Sequence, residues 1–193
     1  MRFDFWHLVF AVMLPVLDLP TITDQHAFNL ARWDELVVDP EIAALNCNIE
    51  TDRYGHVLMM SVPGFGHAGF QSEIVLELHR CLPQGKALGE CRISTSEGIK
   101  GADAAWISTE RRRRAVKNDL LVVAPEICVE VLSAGNTRAE MNEKKALYFE
   151  SGAEEVWMCD RNGRMFFFLK GNPDEAAETS ALCPAFPAKL SGD

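Results

Sequence analysis

The sequence predicts an α/β fold in which a mixed β-sheet is flanked by helices. Three observations support this prediction. The patterns along the chain run in the order helix, strand, strand, strand, helix, strand, strand. Apolar residues make up 48% of the 193 positions, which is enough for a buried core and places the chain outside the disordered class. No internal repeat and no second core are visible, so one sheet with a helix on each side is expected.

The first elements are a helix and a pair of short strands. Residues 29–45, NLARWDELVVDPEIAAL, predict a helix that is capped by Asn29 and followed by a short second turn. Residues 49–61 predict two strands that turn near Gly55, because glycine is favoured in tight turns. Residues 63–69, PGFGHAG, predict a loop from their glycine and proline content.

The centre of the chain predicts an amphipathic helix and two longer strands. Apolar residues recur every four positions along one face of this helix: Phe70, Ile74, Leu78 and Leu82. Residues 85–98 and 100–108 predict strands separated by a turn at Glu97-Gly98. Residues 109–119, TERRRRAVKND, predict a charged loop.

The next strand and helix have the clearest boundaries. Residues 126–133 predict a strand, because β-branched residues alternate with other types along it. Thr137 and Glu140 form a capping-box pattern, which predicts the start of a helix that ends at Gly152.

A hairpin and a tail follow. Asn162-Gly163 separates two apolar runs and predicts a two-residue type I′ turn. Residues 174–193 are polar and then interrupted by prolines, so they predict an irregular tail.

The charge and the cysteines limit the functions to consider. The formal net charge is −9, which argues against a general nucleic-acid coat, since affinity for phosphate comes mostly from Lys and Arg. A local basic patch beside an acidic metal site stays compatible with this charge. The six cysteines show no CxxC and no metal-ligand spacing, so we interpret them as small core residues of a protein in the reducing cytoplasm.

The N-terminal stretch FWHLVFAVMLPVLDL is apolar for about the length of a signal sequence. It is shorter than the ~20 residues that a spanning helix needs, and Asp4 offsets the charge of Arg2. We predict a packing arm over residues 1–26, ahead of a single domain over residues 27–193, without stable membrane association. A start codon placed too early and a membrane anchor are the alternatives.

Three carboxylates occupy apolar strands. Asp103 lies inside GADAAWIS, and Glu126 and Glu130 share one face of the next strand, about 13 Å apart. Burying a carboxylate without a partner is costly. One explanation is pairing with a cationic side chain (Arg92, Lys144 or Lys145) or exposure of this face of the sheet to water. The other is a divalent cation, for which oxygen ligands indicate Mg²⁺ or Mn²⁺.

These motifs resemble the Uma-type family of restriction endonucleases, within the PD-(D/E)XK nuclease superfamily. The resemblance covers about residues 27–170, and CPAFPAKL is similar to the tail of the family. The spacing agrees at several motifs: the helix after His67, Asp103 in its strand, Val129-Glu130-Val131 with Ser133, Lys144 four residues before Tyr148, and Gly152 before Glu155 and Trp157.

The resemblance implies a PD-(D/E)XK-like core and a metal-dependent site. Asp103, Glu130 and the backbone carbonyl of Val131 would bind Mg²⁺ or Mn²⁺, and Lys144 would be the catalytic lysine. The sequence departs from the superfamily pattern at Leu132, where a lysine is usual, and at Ala102, where a proline is usual. The spacing to the tyrosine favours Lys144 over Lys145, whereas helical periodicity does not choose between them.

Other polar residues are weaker candidates. Glu126 is a possible second metal ligand or a strand-edge residue with no role. Gln71 or Glu77 is a candidate for the polar group that the first helix of such nucleases often supplies. His67 is expected to position that helix, and Arg111–Arg114 suit contacts with phosphates or form a solvated loop.

The predicted function is hydrolysis of phosphodiester bonds in nucleic acid, with DNA as the expected substrate. The alternative is a non-catalytic module on a nuclease scaffold that binds nucleic acid or protein, which the displaced lysine and the acidic charge favour. Nucleases that cut both strands are often dimers, so the resemblance is compatible with a homodimer.

Overall fold

The computed structural model describes residues 21–45, 47–60 and 64–192. Residues 1–20 of the predicted arm lie outside the described residues, and the domain boundary at residue 27 remains a prediction. Within the described part, no helix combines the length and the apolar character needed to cross a membrane.

Eight strands of the described part form one mixed sheet. The helices are α1 (Gln25–Val38), α2 (Pro40–Ala44), α3 (Phe65–Cys81), α4 (Thr109–Ala115) and α5 (Arg138–Glu150). The strands are β1 (Ile49–Thr51), β2 (Val57–Met59), β3 (Gly85–Thr95), β4 (Gly98–Ser108), β5 (Val116–Lys117), β6 (Leu120–Leu121), β7 (Ile127–Val131), β8 (Glu155–Cys159), β9 (Met165–Leu169) and β10 (Asn172–Ala177). The sheet order is β10-β9-β8-β7-β4-β3-β6-β5, while β1 and β2 form a separate hairpin. The pairs β7–β8 and β3–β6 are parallel, so the predicted mixed sheet is confirmed.

Helices cover both faces of the sheet. Val129 of β7 packs in one apolar cluster with Ile74 and Leu78 of α3. Cys128, its neighbour in sequence, packs in a second cluster with Tyr148 of α5. Successive side chains of a strand point to opposite faces, so β7 contributes to both clusters. Each fully buried large apolar side chain stabilises the fold by roughly 1.5–3 kcal/mol.

Helix α1 begins earlier than the sequence predicts. Asp24 is its cap and accepts a hydrogen bond from the amide of Ala27 at 3.0 Å. Asn29 is buried instead, and its Nδ2 donates to Oγ of Ser94 and to backbone carbonyls of the β3–β4 turn. The prediction of Asn29 as a cap was therefore wrong, because its amide satisfies groups of another element.

Three segments predicted as irregular contain regular structure. Residues 65–69 are the first turn of α3, where Gly66 and Gly69 make no close contact. Residues 109–115 form α4, because Ser108 caps it by accepting from the amide of Arg111 at 3.1 Å. The tail supplies most of β10 at the sheet edge, and Pro173 lies in the register shift between Asn172 and Ala176, where the ladder needs no donor from it.

The β8–β9 hairpin is present, but its turn is longer than predicted. The amide of Asp160 donates to the carbonyl of Arg164, which leaves three residues in the loop. Gly163 has φ +78°, whereas Asn162 has no positive φ, so the turn is not type I′. The Asp160 carboxylate accepts from the amides of Asn162 and Arg164, which stabilises the longer loop.

We expect Asn29→Ala to lower the free energy of unfolding by about 2 kcal/mol, because it removes a buried donor to Ser94 and to two backbone carbonyls. Urea denaturation measures this change. Asn172→Ala is the matched control, since its amide bonds an exposed Glu175, and it should change stability by less than about 0.5 kcal/mol. Equal effects of the two substitutions would contradict the role given to Asn29.

Candidate active site

A cleft opens where the pairing of β4 and β7 ends. It contains a cavity of about 410 Å³. Five surrounding elements each contribute a polar side chain: Glu50 from β1, His67 from α3, Asp103 from β4, Glu130 from β7 and Lys144 from α5. The structure therefore brings Asp103, Glu130 and Lys144 to one cleft.

Strands β4 and β7 separate at the two acids. Their last paired residues are Ala104 and Val129, so Asp103 and Glu130 occupy the next positions beyond the ladder. Oδ2 of Asp103 accepts a hydrogen bond from the amide of Val131 at 2.7 Å. A carboxylate thus takes the place of a strand carbonyl as the acceptor of a backbone N–H, which holds Asp103 between the two strands.

The ammonium group of Lys144 has an acceptor for each of its three N–H groups. These are the carbonyl of Gly101 at 2.8 Å, Oε2 of Glu130 at 3.0 Å and Oε1 of Glu50 at 3.1 Å. Oε1 of Glu50 also accepts from the amide of Gly101 at 2.9 Å. The lysine therefore joins α5, β7, β4 and β1 at one point.

Glu130 is 4% exposed, and burial raises its pKa to about 7. The charge of Asp103 raises the pKa further, against the opposing effect of Lys144. Burial alone would lower the pKa of Lys144, but the charges of Glu130 and Glu50 outweigh burial and raise it. The charged form of Lys144 is thus favoured, while burial favours the protonated form of Glu130.

The hydroxyl of Tyr148 opposes the effect of burial on Glu130. It donates to Oε1 of Glu130 at 2.6 Å, and a hydrogen bond donated to the carboxylate lowers its pKa. The carbonyl of Gly101 lies 2.9 Å from the same hydroxyl and also accepts from Lys144. Each oxygen of Glu130 therefore has a donor, Tyr148 on one and Lys144 on the other.

Asp103 is held by two side chains of α3. Nε2 of His67 lies 3.3 Å from its Oδ1, and this contact raises the pKa of the histidine. Nε2 of Gln71 donates to the carbonyl of Asp103 at 2.8 Å and to Oε1 of Glu90 at 2.9 Å. Gln71 therefore fixes the backbone of Asp103, and His67 lies against its carboxylate.

The sequence pattern missed Glu50, Glu90 and Gly101. Glu50 is a carboxylate in an apolar strand, the same signal that singled out Asp103, but β1 has only three residues. Glu90 has a left-handed backbone with φ +54°, for which nothing in the sequence is diagnostic. At Gly101 a Cβ atom would lie 2.6 Å from a guanidinium nitrogen of Arg92, so a larger residue would displace this arginine.

Three weaker candidates lie outside the cleft. Glu126 accepts from the amide of Ser108 at 3.0 Å and pairs with Nε of Arg111 at 3.2 Å. Glu126 precedes β7. Its pairing with Arg111 keeps its carboxylate outside the cleft, so it is not placed to act as a second metal ligand. Glu77 pairs with Arg80 on the outer surface of α3. The guanidinium of Arg111 is used internally, since it also donates to two backbone carbonyls, so it does not face phosphate.

Lys145 points to another part of the molecule. Its Nζ donates to the carbonyl of Pro173 at 2.5 Å and lies 4.2 Å from the ring centroid of Phe168. Lys145 therefore anchors the β9–β10 edge, and Lys144 is the lysine of α5 that lies in the cleft.

Carboxylates outnumber cations in the cleft. Its lining includes six acidic side chains and three cationic ones, so the cleft by itself repels phosphate. Among the described residues, no group of three or more His, Cys, Asp or Glu side chains is arranged to hold a metal ion. The three residues predicted as metal ligands, Asp103, Glu130 and Val131, all line the cleft.

The fold is that of restriction-endonuclease-like α/β proteins. A crystal structure described as "a putative nuclease belonging to DUF820", from Anabaena variabilis, shares the fold with a TM-score of 0.61 and 18% identity. The match covers 82% of this chain and 93% of that chain. The family model described as "Uma2: Putative restriction endonuclease" matches residues 43–191, so the chain belongs to this family. A search of curated proteins found no match.

We expect the stability of the metal-free protein to depend on pH through Glu130. Folding raises its pKa from 4.5 to about 7, so the folded state favours the protonated acid, and this stabilisation is lost as pH rises from about 4.5 to 7. Glu130→Gln removes the titrating carboxyl group, so the stability of the variant does not fall with pH for this reason. The unfolding free energy of the variant relative to the wild type should therefore increase by about 3 kcal/mol across that range.

Urea denaturation in EDTA at a series of pH values measures this difference. The comparison cancels the titrating groups that are remote from position 130, which both proteins share. A difference between the proteins that does not change with pH would contradict the raised pKa.

Proposed function

We propose that the chain is a metal-dependent phosphodiesterase that hydrolyses nucleic acid, with DNA as its substrate. The observation that carries this proposal is the meeting of Asp103, Glu130 and Lys144 in one cleft, beyond the last paired residues of β4 and β7. Membership of a family described as restriction endonucleases supports the same class of reaction.

The donor set of the cleft suits Mg²⁺ or Mn²⁺. Magnesium in phosphate-processing sites is commonly bound by one or two carboxylates together with water and substrate phosphate. Asp103 and Glu130 supply the two carboxylates, and we propose the backbone carbonyl of Val131 as a third ligand. A divalent cation also offsets the excess of acids around it, which Lys144 alone does not.

When bound, the metal activates a water molecule and neutralises charge that develops on the phosphate. The protein's own groups set the geometry for this reaction. Asp103 is fixed by the amide of Val131 and by Gln71, so its carboxylate has little freedom to rotate away. Glu130 must lose its proton to act as a ligand, and Tyr148 and Lys144 hold its two oxygens in place.

Lys144 has two proposed roles. Its charge stabilises Glu130 in the ionised form, since the two groups lie 3.0 Å apart. It also orients the attacking water or stabilises charge in the transition state, as a preorganised cation in a site that is largely closed to solvent. The usual lysine two residues after the glutamate is replaced by Leu132, and α5 supplies the cation from the other side of the cleft.

The partner and location remain proposals of the same kind. A homodimer would place two clefts on one duplex, as cutting of both strands requires. A cytoplasmic location is the prediction from the cysteine pattern.

We expect purified protein to cleave DNA with Mg²⁺ or Mn²⁺, and Glu130→Gln to reduce the rate by about a thousandfold, because a ligand charge is lost. A panel of supercoiled, linear and single-stranded DNA with a metal titration measures this. Glu126→Gln is the matched control, since Glu126 precedes the same strand, is also buried and lies outside the cleft. It should keep the wild-type rate.

Two results would contradict the proposal. If wild type and Glu130→Gln are inactive on every substrate but bind DNA equally, the protein is a binding module. If Glu130→Gln fails to fold at a pH where the wild type is stable, Glu130 is a structural partner of Lys144.

The two neighbouring lysines of α5 provide a second test. Lys144→Met should lower the cleavage rate by about a hundredfold or more, because it removes the cation nearest the two acids. Lys145→Met should weaken the β9–β10 edge without changing the rate. Single-turnover cleavage and circular dichroism of both variants separate activity from folding. A folded Lys144→Met variant with the wild-type rate would exclude a catalytic role for Lys144.

A further inference from the structure

A second groove runs along β3 and joins the cleft. Its cavity is about 630 Å³. We call it the β3 groove and define it by six lining residues: Lys86, Leu88, Arg92, Arg112, Val116 and Leu121. Asn48, Glu90 and Arg92 line both the groove and the cleft, so the two are continuous.

The edge of β3 along this groove has no strand partner. β3 pairs with β4 from Gly85 to Thr95, except at Glu90, but with β6 only at Ile93–Leu121. Within the part of the chain that the structure describes, residues 86–92 therefore lack a neighbouring strand on that side. An unpaired strand edge presents N–H donors, and phosphate oxygens commonly accept hydrogen bonds from backbone N–H groups.

Exposed cations lie along this edge. Lys86 and Arg112 are exposed, and no described carboxylate lies within ion-pair distance of either. Arg113 and Arg114 of α4 are exposed as well. Of the four arginines that the sequence pattern singled out, only Arg111 is used internally. The groove lining also includes Glu90 and Asp119, so its three cations, Lys86, Arg92 and Arg112, exceed its acids by one in a molecule whose net charge is −9.

We propose that the β3 groove binds the sugar–phosphate backbone of a DNA duplex whose neighbouring phosphate enters the cleft. Lys86 and Arg112 contact phosphates, and Arg92 marks the passage from groove to cleft. This inference rests on the proposed function. From Lys86 to Arg92 the strand extends roughly 20 Å, which equals the axial length of about six base pairs.

Two features favour a duplex over a protein partner. The cations complement a polyanion, and the groove leads into the site proposed to act on phosphate. An exposed lysine on an edge strand, by contrast, opposes pairing with a strand from another protein or a second copy.

Charge-neutralised variants test the inference. Lys86→Gln/Arg112→Gln removes two charges from the groove. Arg161→Gln/Lys170→Gln removes two exposed charges near the β8–β9 turn and the end of β9, in the other half of the sheet. Fluorescence anisotropy with a labelled duplex, at a series of salt concentrations in EDTA and in Ca²⁺, measures binding separately from Mg²⁺-dependent cleavage.

We expect the groove variant to bind the duplex roughly tenfold or more weakly at about 0.1 M salt. The slope of log K against log salt concentration should shrink by about 2, one unit for each lost phosphate contact. The control variant should match the wild type. The inference is overturned if the groove variant keeps the wild-type slope, if both variants weaken equally, or if the wild type binds no duplex in either buffer.

The binding and cleavage experiments test the β3 groove and the proposed hydrolase activity separately. Weaker binding by the groove variant, with a wild type that cleaves nothing, supports the groove and rejects the proposed hydrolase. Cleavage that is lost only in Glu130→Gln, with wild-type binding by the groove variant, supports the hydrolase and rejects the groove.

Discussion

The cleft depends on one shared cation. The ammonium of Lys144 joins Glu50, Glu130 and the carbonyl of Gly101, and so connects a short outer hairpin, two central strands and a helix. Removing an ammonium ion from water has a high free-energy cost, and close acceptors on every side are needed to offset it. Without Lys144, two buried carboxylates would repel each other and the strands that carry them would be driven apart.

The same arrangement leaves the site short of positive charge. One ammonium is divided between two buried acids, with Asp103 as a third acid nearby. Burial raises the pKa of Glu130, and the hydrogen bond donated by Tyr148 opposes this effect only in part. Burial thus favours the protonated form of Glu130 in the metal-free cleft. If the proposed metal binds there, it would displace this proton, and its affinity would rise with pH.

The sequence was informative where a residue conflicted with its surroundings. A carboxylate is costly to bury within an apolar strand. This conflict identified Asp103 and Glu130 as candidate site residues from the sequence alone. Lys144 was distinguished from Lys145 only by resemblance, because the partners of Lys145 belong to the β9–β10 edge and β10 was not predicted. Glu126 showed the same conflict as Glu130, but its partner is Arg111, in a segment predicted to be a loop. Local patterns identify a residue that needs a partner, whereas only the fold decides which partner it finds.

The left-handed backbone of Glu90 has a consequence for laboratory evolution. A residue other than glycine is destabilised by roughly 1 kcal/mol or more in this conformation, which glycine adopts freely. The carboxylate of Glu90 receives Gln71, which in turn holds the backbone of Asp103. Selection of a mutant library for heat resistance would therefore enrich glycine at position 90. Selection for a function that depends on the arrangement of the cleft would enrich glutamate. Opposite enrichment at position 90 in the two selections would show that Glu90 lowers the stability of the protein while it maintains the arrangement of the cleft.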